Sequence, residues 1–207
     1  MSEPRTVYLV DDEEAIRRSA GFMLKTSGYI VRSYASGVEF LKERKLEPGC
    51  ILLDVRMPGM DGLDVQKTLR ERGITLPVIV MTGHGDVATS VQAMKLGALD
   101  FLEKPFEKAV LLSAIEQGFD VINRSDRPKG RGEEAQVKLG ALTPREKEVL
   151  EGLARGLPNK TIGYDLGISP RTVEIHRAKL MTKLGVGSLS DALRIAFAAG
   201  LGEVPNA

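Results

Sequence analysis

In CILLDVRMPGMDG, residues 50–62, an unbroken apolar run from Cys50 to Leu53 ends on a carboxylate, Asp54, and a turn rich in Pro and Gly follows. A short apolar run bounded by a turn reads as a strand buried on both faces, the kind found in parallel sheets. The charge at its tip is the feature to explain. Four more such runs lie on either side: TVYLV (6–10), YIVRSY (29–34), PVIVM (77–81) and ALDFLE (98–103). Between them apolar residues recur at helical spacing: Ile16, Ala20, Met23 and Leu24; Val38, Phe40 and Leu41; Leu63, Val65 and Leu69; Val87, Val91 and Met94. EKAVLLSAIEQGFDVI (107–122) closes the series. Five repeats of strand then helix predict an α/β fold, a doubly wound parallel sheet covered on both faces, with ligands collecting outside the C-terminal strand ends.

The chain has 207 residues, 43% hydrophobic and 28% charged, enough to bury a core in one or two domains. Its single cysteine, Cys50, reads as a small core residue and gives no sign of an oxidising compartment. No apolar stretch approaches the ~18 residues of a membrane span, and MSEPRTVYLV lacks the pattern of a signal peptide. A cytoplasmic protein with no membrane partner is expected. The net charge of +1 conceals an asymmetry: residues 1–123 carry 15 Lys+Arg and 18 Asp+Glu, whereas residues 138–207 carry 10 and 7. The basic half is therefore the place to seek a nucleic-acid contact.

NRSDRPKGRGEEAQVK (123–138) is polar, contains Gly and Pro, shows no periodicity and reads as an interdomain linker. Beyond Gly140 the pattern is wholly helical. LTPREKEVLEGLARG offers Thr143 as N-cap, Pro144 at the first helical position and Glu146 to complete a capping box. NKTIGYDLG gives a second, short helix with Asn159 as its cap. A third restarts at Ser169 and Pro170 and stops at Gly185, and SLSDALRIAFAAG supplies a fourth. Four short helices, the middle two joined by a tight turn at Gly167, fit a helix-turn-helix module.

Strand one runs into Asp11 and Asp12, strand three into Asp54, strand four into Thr82 and strand five into Lys104 and Pro105. In a parallel sheet these ends converge. Two unit charges ~4 Å apart repel by roughly 4 kcal/mol at an effective dielectric of about 20. A divalent cation relieves that repulsion, and an all-oxygen site suits Mg²⁺. Beside it a carboxylate can attack phosphorus and become an aspartyl phosphate. Lys104 would face the added charge and Thr82 would bond one of its oxygens.

YLVDDEEA (8–15), LLDVRMPGMDG (52–62), VIVMTGHGD (78–86) and GALDFLEKPF (97–106) stand in the order and spacing of the receiver domain of bacterial two-component response regulators, and residues 5–122 resemble that family. The resemblance implies a five-stranded CheY/flavodoxin-like sheet with Asp54 as phosphoacceptor. It implies Mg²⁺ held by Asp11, Asp12, Asp54 and the backbone carbonyl of Arg56, Thr82 and Phe101 as a switching pair, and Lys104 as the phosphate-sensing lysine, with a cis bond to Pro105. Phe101 stands where tyrosine is commoner and lacks a hydroxyl. The implied partner is a sensor histidine kinase, and the implied outcome is a homodimer formed through a reshaped surface of the fourth helix and fifth strand. Such a protein accepts and slowly loses its own phosphoryl group; it is not an enzyme with another substrate.

Residues 140–201 resemble the LuxR-type (GerE-type) four-helix DNA-binding domain, through LTPREKEVL (142–150) and LPNKTIGYDLGISPRTVEIHRAKLMTKLGV (157–186). The organisation is then a receiver domain over 5–122, a linker over 123–138 and an all-α helix-turn-helix domain over 139–203. In the third helix Val173, Leu180 and Leu184 form a core stripe. Arg171, Glu174, Ile175, Ala178 and Thr182 are placed toward a major groove, and Arg177, Lys179 and Lys183 toward phosphates, with Thr172 also counted among the DNA-binding residues. Asn159, Lys160 and Thr161 could meet a phosphate through backbone N–H groups. Glu174 and Ala178 stand where some relatives carry lysine, and Gly163 costs about 1 kcal/mol of helix propensity relative to Ala for no reason visible in the sequence.

The pairing of domains is that of the NarL/FixJ class. GVEFL (37–41) and MTGHGDVATSVQAMKLGALDFLEKPF (81–106) are similar to its nitrogen-fixation branch. That implies a FixL-like, oxygen-sensing haem kinase as donor and activation of nitrogen-fixation genes, with double-stranded promoter DNA and RNA polymerase as partners. Two other readings stand beside it. A phosphorylation-independent regulator, its receiver a dimerisation module, is disfavoured by the intact acid pocket. An Mg²⁺-dependent phosphotransfer enzyme is disfavoured because insertions that would build a substrate pocket are missing. His84 reads as a loop residue tuning access, and His176 as packed in its helix or near a phosphate.

Overall fold

The structure, a computed structural model, describes residues 5–83, 87–123 and 131–202. Strands β1 (Thr6–Val10), β2 (Ile30–Tyr34), β3 (Gly49–Asp54), β4 (Val78–Thr82) and β5 (Asp100–Glu103) alternate with helices α1 (Glu14–Lys25), α2 (Gly37–Phe40), α3 (Gly62–Glu71), α4 (Val87–Lys95) and α5 (Lys108–Asn123). The strands form one parallel sheet in the order β2-β1-β3-β4-β5. The chain leaves β1 for β2 on one side and returns to β3 on the other, and that reversal opens a crevice beyond the C-terminal ends of β1 and β3. β1, β3 and β4 are buried along their whole length, as their unbroken apolar runs predict.

Alternate residues of those strands serve two layers. Val7, Leu9, Cys50, Leu52, Ile79 and Met81 form one core with Ala20 and Leu24 of α1 and Leu111, Ala114, Ile115 and Phe119 of α5. Burial pushes the Cys50 thiol up to about 12, so it is an inert core group as expected. Tyr8, Ile51, Leu53 and Val80 are likewise fully buried. Tyr8 meets Phe40 of α2 with ring centroids 5.9 Å apart, and Phe40 stands edge-on to Tyr34 at 5.2 Å.

The chain divides into two compact units, Met1–Gly85 with Leu96–Asp126 and Asp86–Lys95 with Arg127–Ala207. Helix α4, which the sequence reading places in the first half, thus groups with the second unit. That unit also contains α6 (Arg131–Gly140), α7 (Pro144–Ala154), α8 (Asn159–Leu166), α9 (Pro170–Leu184) and α10 (Leu189–Ala198).

Helix α6 corrects the reading of 123–138 as aperiodic. Residues 124–130 lie outside the described residues, but 131–140 are helical. The reason is tertiary: among its residues with described burial Ala135 and Leu139 are buried, with Leu142 just beyond, and Gln136 Nε2 donates to the Ala199 carbonyl at 2.8 Å.

Helix α7 has the expected capping box between Thr143 and Glu146, with Pro144 in its first turn. In α8 the cap is not Asn159 but Pro158, whose extended backbone (φ −68°, ψ 153°) makes no side-chain cap bond. Asn159 is already helical, and its Oδ1 accepts from Arg177 of α9 at 3.3 Å. The α8–α9 turn closes on Gly167 at φ +66°, a left-handed position that suits glycine, and α9 starts on Ser169 and stops on Gly185 at φ +68°. Val173, Leu180 and Leu184 are its buried stripe, as expected. The turn also accounts for Gly163: a Cβ there would stand 2.7 Å from the Ile168 carbonyl oxygen and 3.3 Å from the Pro170 nitrogen. Glycine in mid-helix lets the following turn fold back against α8.

Candidate functional site

Strand register brings the charges together. Val10 pairs with Leu53, so Asp11 and Asp54 follow side by side, and Asp54 in turn pairs with Met81. Thr82 pairs with Glu103, which places Lys104 one residue further on, its backbone N–H donating to the Thr82 carbonyl at 2.8 Å. The Lys104 ammonium lies 2.7 Å from Asp11 Oδ2, 2.7 Å from Asp54 Oδ1 and 3.5 Å from Glu13 Oε1. Asp11 is fully buried and Asp54 nearly so, while Asp12 is the most open of the three acids. Thr82 is buried, Phe101 is half-buried, Arg56 is exposed in the turn after β3, and the Lys104–Pro105 bond is cis. His84 lies outside the described residues.

Burial raises the pKa of both Asp11 and Asp54, and bonding to Lys104 opposes the rise in each; the charges of Asp11 and Asp12 push Asp54 further up. Burial alone would lower Lys104, but its bonds to Asp11 and Asp54 outweigh that and hold it above its usual value. Asp11, Asp12 and Asp54 each offer a carboxylate oxygen within 4.8 Å of the others. Three hard oxygen donors gathered within that distance fit Mg²⁺.

Two contributors escape a motif reading. Arg17 Nη1 of α1 donates to the carbonyls of both Asp11 and Asp12 at 2.7 Å, clamping the backbone from which those carboxylates project. Glu13 gives its N–H to Asp11 Oδ1 at 2.8 Å and adds a fourth carboxylate at the rim. Glu13 is visible in the run DDEE, but no spacing rule points to Arg17. The Gly62 that ends the opening motif is a packing requirement: a Cβ there would stand 2.3 Å from the Asp54 carbonyl oxygen. Without one, the Gly62 N–H reaches the Val55 carbonyl at 2.8 Å and the first turn of α3 closes on the strand tip.

In the second unit Arg171, Glu174, Ile175, Ala178, Lys179 and Thr182 of α9 are exposed, as is Lys160 of α8, whereas Asn159, Thr161, Thr172 and Arg177 are half-buried. Arg171 pairs loosely with Glu174 at 3.4 Å, and Thr172 is bound to Ser169 through both its N–H and its hydroxyl. His176 is half-buried and its Nδ1 has no hydrogen-bond partner. Lys183 differs from the other cations assigned to phosphates: its Nζ lies 2.7 Å from Oε2 of the buried Glu146. The Lys183 bond and the Thr143 N–H together hold the Glu146 carboxyl down at about 2.

The family described as response regulator receiver domain matches residues 7–116, and that of bacterial regulatory proteins, luxR family, matches residues 140–196. Among curated relatives, the transcriptional regulatory protein FixJ of Azorhizobium caulinodans is 46% identical over 208 residues, covering 100% of this chain and 99% of that protein. FixJ of Rhizobium meliloti is 43% identical, covering 95% and 97%. The tetrathionate response regulatory protein TtrR of Salmonella typhimurium is 39% identical, covering 91% and 90%. Among solved structures, full-length FixJ from B. japonicum is similar with a TM-score of 0.58 and 40% identity, covering 97% of this chain and 98% of that one.

Proposed function

The chain belongs to the NarL/FixJ class of two-component transcriptional response regulators, in which a receiver domain is joined to a LuxR-type DNA-binding domain, and on that premise we propose that phosphoryl transfer to Asp54 switches its hold on promoter DNA. The observation that carries the proposal is the Lys104 ammonium, 2.7 Å from both Asp11 and Asp54 at the crevice of the sheet. A cation bridging the acceptor and its neighbour in the resting protein is placed to exchange one carboxylate for a phosphoryl oxygen.

A sensor histidine kinase presents a phosphohistidine. An Asp54 carboxylate oxygen bonds to phosphorus as the P–N bond breaks, and the imidazole leaves with the electron pair. Mg²⁺, held by Asp11, Asp12, Asp54 and the Arg56 carbonyl, would spread the charge of the transferring group. Arg17 keeps the Asp11–Asp12 backbone in place meanwhile. Lys104 then moves its bond from Asp54 to a phosphoryl oxygen, the Thr82 hydroxyl takes another, and Phe101 turns into the space that Thr82 leaves. The receiver surface so altered becomes the contact of a homodimer. On DNA, Arg171, Thr172, Glu174 and Ile175 face the major groove, while Asn159, Lys160, Thr161, Arg177 and Lys179 hold phosphates.

The nitrogen-fixation branch, to which residues 37–41 and 81–106 point, supplies the finer reading: a FixL-like haem kinase as donor, nitrogen-fixation promoters as targets and RNA polymerase as the partner in activation. Similarity to FixJ over the full length supports it. Sedimentation of the wild type and Asp54→Asn, each with Mg²⁺ and acetyl phosphate and with or without duplex DNA, tests the switch. A dimer and tighter DNA binding confined to the wild type are expected. Identical behaviour of the two proteins would leave the receiver as a phosphorylation-independent dimerisation module.

A further inference from the structure

Helix α9 carries three cations in its last three turns or so, Arg177, Lys179 and Lys183, and their surroundings are not equivalent. Arg177 donates to Asn159 at the start of α8, and Lys179 is exposed with no ion pair among the described residues. Lys183 alone reaches a buried carboxylate. Glu146 is 3% exposed, and its Oε2 accepts both the Lys183 ammonium at 2.7 Å and the Thr143 N–H at 2.8 Å. The Glu146 N–H returns a bond to Thr143 Oγ1 at 3.3 Å. One oxygen atom thus serves the N-terminal cap of α7 and the last turn of α9.

Position on the helix agrees. At roughly 100° per residue, Lys183 stands about 80° from the Val173–Leu180–Leu184 stripe, while Thr182 stands about opposite it. For Lys183 to reach a phosphate it would have to leave Glu146, and the carboxylate, tied to the α7 cap, cannot follow. A buried carboxylate without its cation is strongly unfavourable.

We propose that Lys183 is a positioning residue rather than a phosphate contact: through Glu146 it fixes the last turn of α9 to the first turn of α7 and so sets the angle at which Arg171, Glu174 and Ile175 meet the bases. This rests on the reading of α9 as the element that enters the groove. Positioning and phosphate contact separate in the salt dependence of binding. Each phosphate that a cation neutralises contributes about 0.9 to the slope of log K against log salt concentration. A residue that only orients the helix contributes nothing to that slope but does affect discrimination between sequences.

The test uses the full chain with Mg²⁺ and acetyl phosphate, and two duplexes of equal length, one selected by the wild type from a random pool and one unselected. Lys183→Met removes the ammonium and keeps the stem. Glu146→Gln neutralises its partner, and since Gln also serves in a capping box the variant keeps α7 capped and provides a folded reading should Lys183→Met unfold. The ratio of selected to unselected affinity is expected to fall roughly tenfold in both variants, about the discrimination of one good base contact, with the wild-type salt slope retained. Lys179→Ala, by contrast, should lower the slope by about 0.9 and leave the ratio alone. A slope reduced by about one in Lys183→Met would make Lys183 a phosphate contact and overturn the proposal. A wild-type ratio and slope in both variants, with only a lower melting temperature, would overturn it too and leave the pair a matter of stability. If the wild type fails to discriminate between the duplexes, the reading of α9 itself falls.

Discussion

In the proposed role Asp54 would have to be ionised to attack phosphorus, yet burial pushes its pKa up, the neighbouring acids add to the rise, and Lys104 offsets it only in part. A carboxyl whose folded pKa lies above its ordinary value of 3.8 binds more protons in the native state than in the unfolded one between those two values. Its contribution to stability is fully present below 3.8 and is lost as pH rises through the folded pKa. At neutral pH the ionised group therefore weighs against the metal-free fold. In EDTA at neutral pH, Asp54→Asn is expected to unfold at higher urea concentration than the wild type, the gap closing as the pH is lowered toward 3.8. Mg²⁺ should narrow or invert the gap, because a ligand held by the native state adds RT ln(1 + [L]/Kd) and the variant lacks one of the carboxylates. A variant less stable than wild type in EDTA at neutral pH would show that the attraction of Lys104 outweighs burial. Most of this crevice is legible in the sequence because strand ends in a parallel sheet share one edge, so that Asp11, Asp12, Asp54, Thr82 and Lys104 need only be counted from their strands. Arg17 is not, because its guanidinium binds main-chain carbonyls, which every residue possesses and no motif records.

Elements follow the same division. The central strands are recognisable because both their faces are buried, leaving apolar runs with nothing to interrupt them. Helix α6 escapes notice because just two of its residues with described burial, Ala135 and Leu139, are buried; packing, not periodicity, sustains it. The cap of α8 is misassigned for a related reason: Asn159 has the right chemistry for a cap, but its oxygen is engaged by Arg177 across the helix pair. Gly163 shows how a poor local choice can answer a tertiary need. Alanine would gain about 1 kcal/mol of helix propensity, yet its Cβ would stand 2.7 Å from the Ile168 carbonyl oxygen, a backbone atom that yields only if the α8–α9 turn shifts. Crowding of that kind costs roughly 1–3 kcal/mol, so Gly163→Ala is expected to be neutral to destabilising by about 2 kcal/mol at most. Its selected-duplex affinity should fall, because the turn sets where α9 begins. Urea denaturation and a binding titration on the same variant check this; a gain in stability with unchanged affinity would mean that the turn relaxes freely around a methyl group.

At the scale of the whole molecule, the proposed dimer makes a geometric demand on the DNA. Two α9 helices related by a two-fold axis read the same groove face, so their half-sites should lie about one helical turn, ~10 base pairs, apart centre to centre. Phosphorylation then strengthens binding by making the second helix's encounter intramolecular, with no new contact needed between either helix and its bases. That gain survives only where both half-sites face the same side of the duplex. Lengthening the spacer by about half a turn, ~5 base pairs, turns one half-site away, and the affinity gain from acetyl phosphate should be lost while the affinity of the unphosphorylated chain stays as it was. Lengthening it by about a full turn, ~10 base pairs, restores the facing and should recover part of the gain, to the extent that the pair of domains can span the longer site. Equal gains at all three spacings would exclude a rigid two-fold arrangement, and the effect of Asp54 would then have to act within one chain. Because the test varies only the DNA, a loss of gain at the half-turn spacing cannot arise from a misfolded variant, and it separates dimer geometry from the chemistry of the crevice.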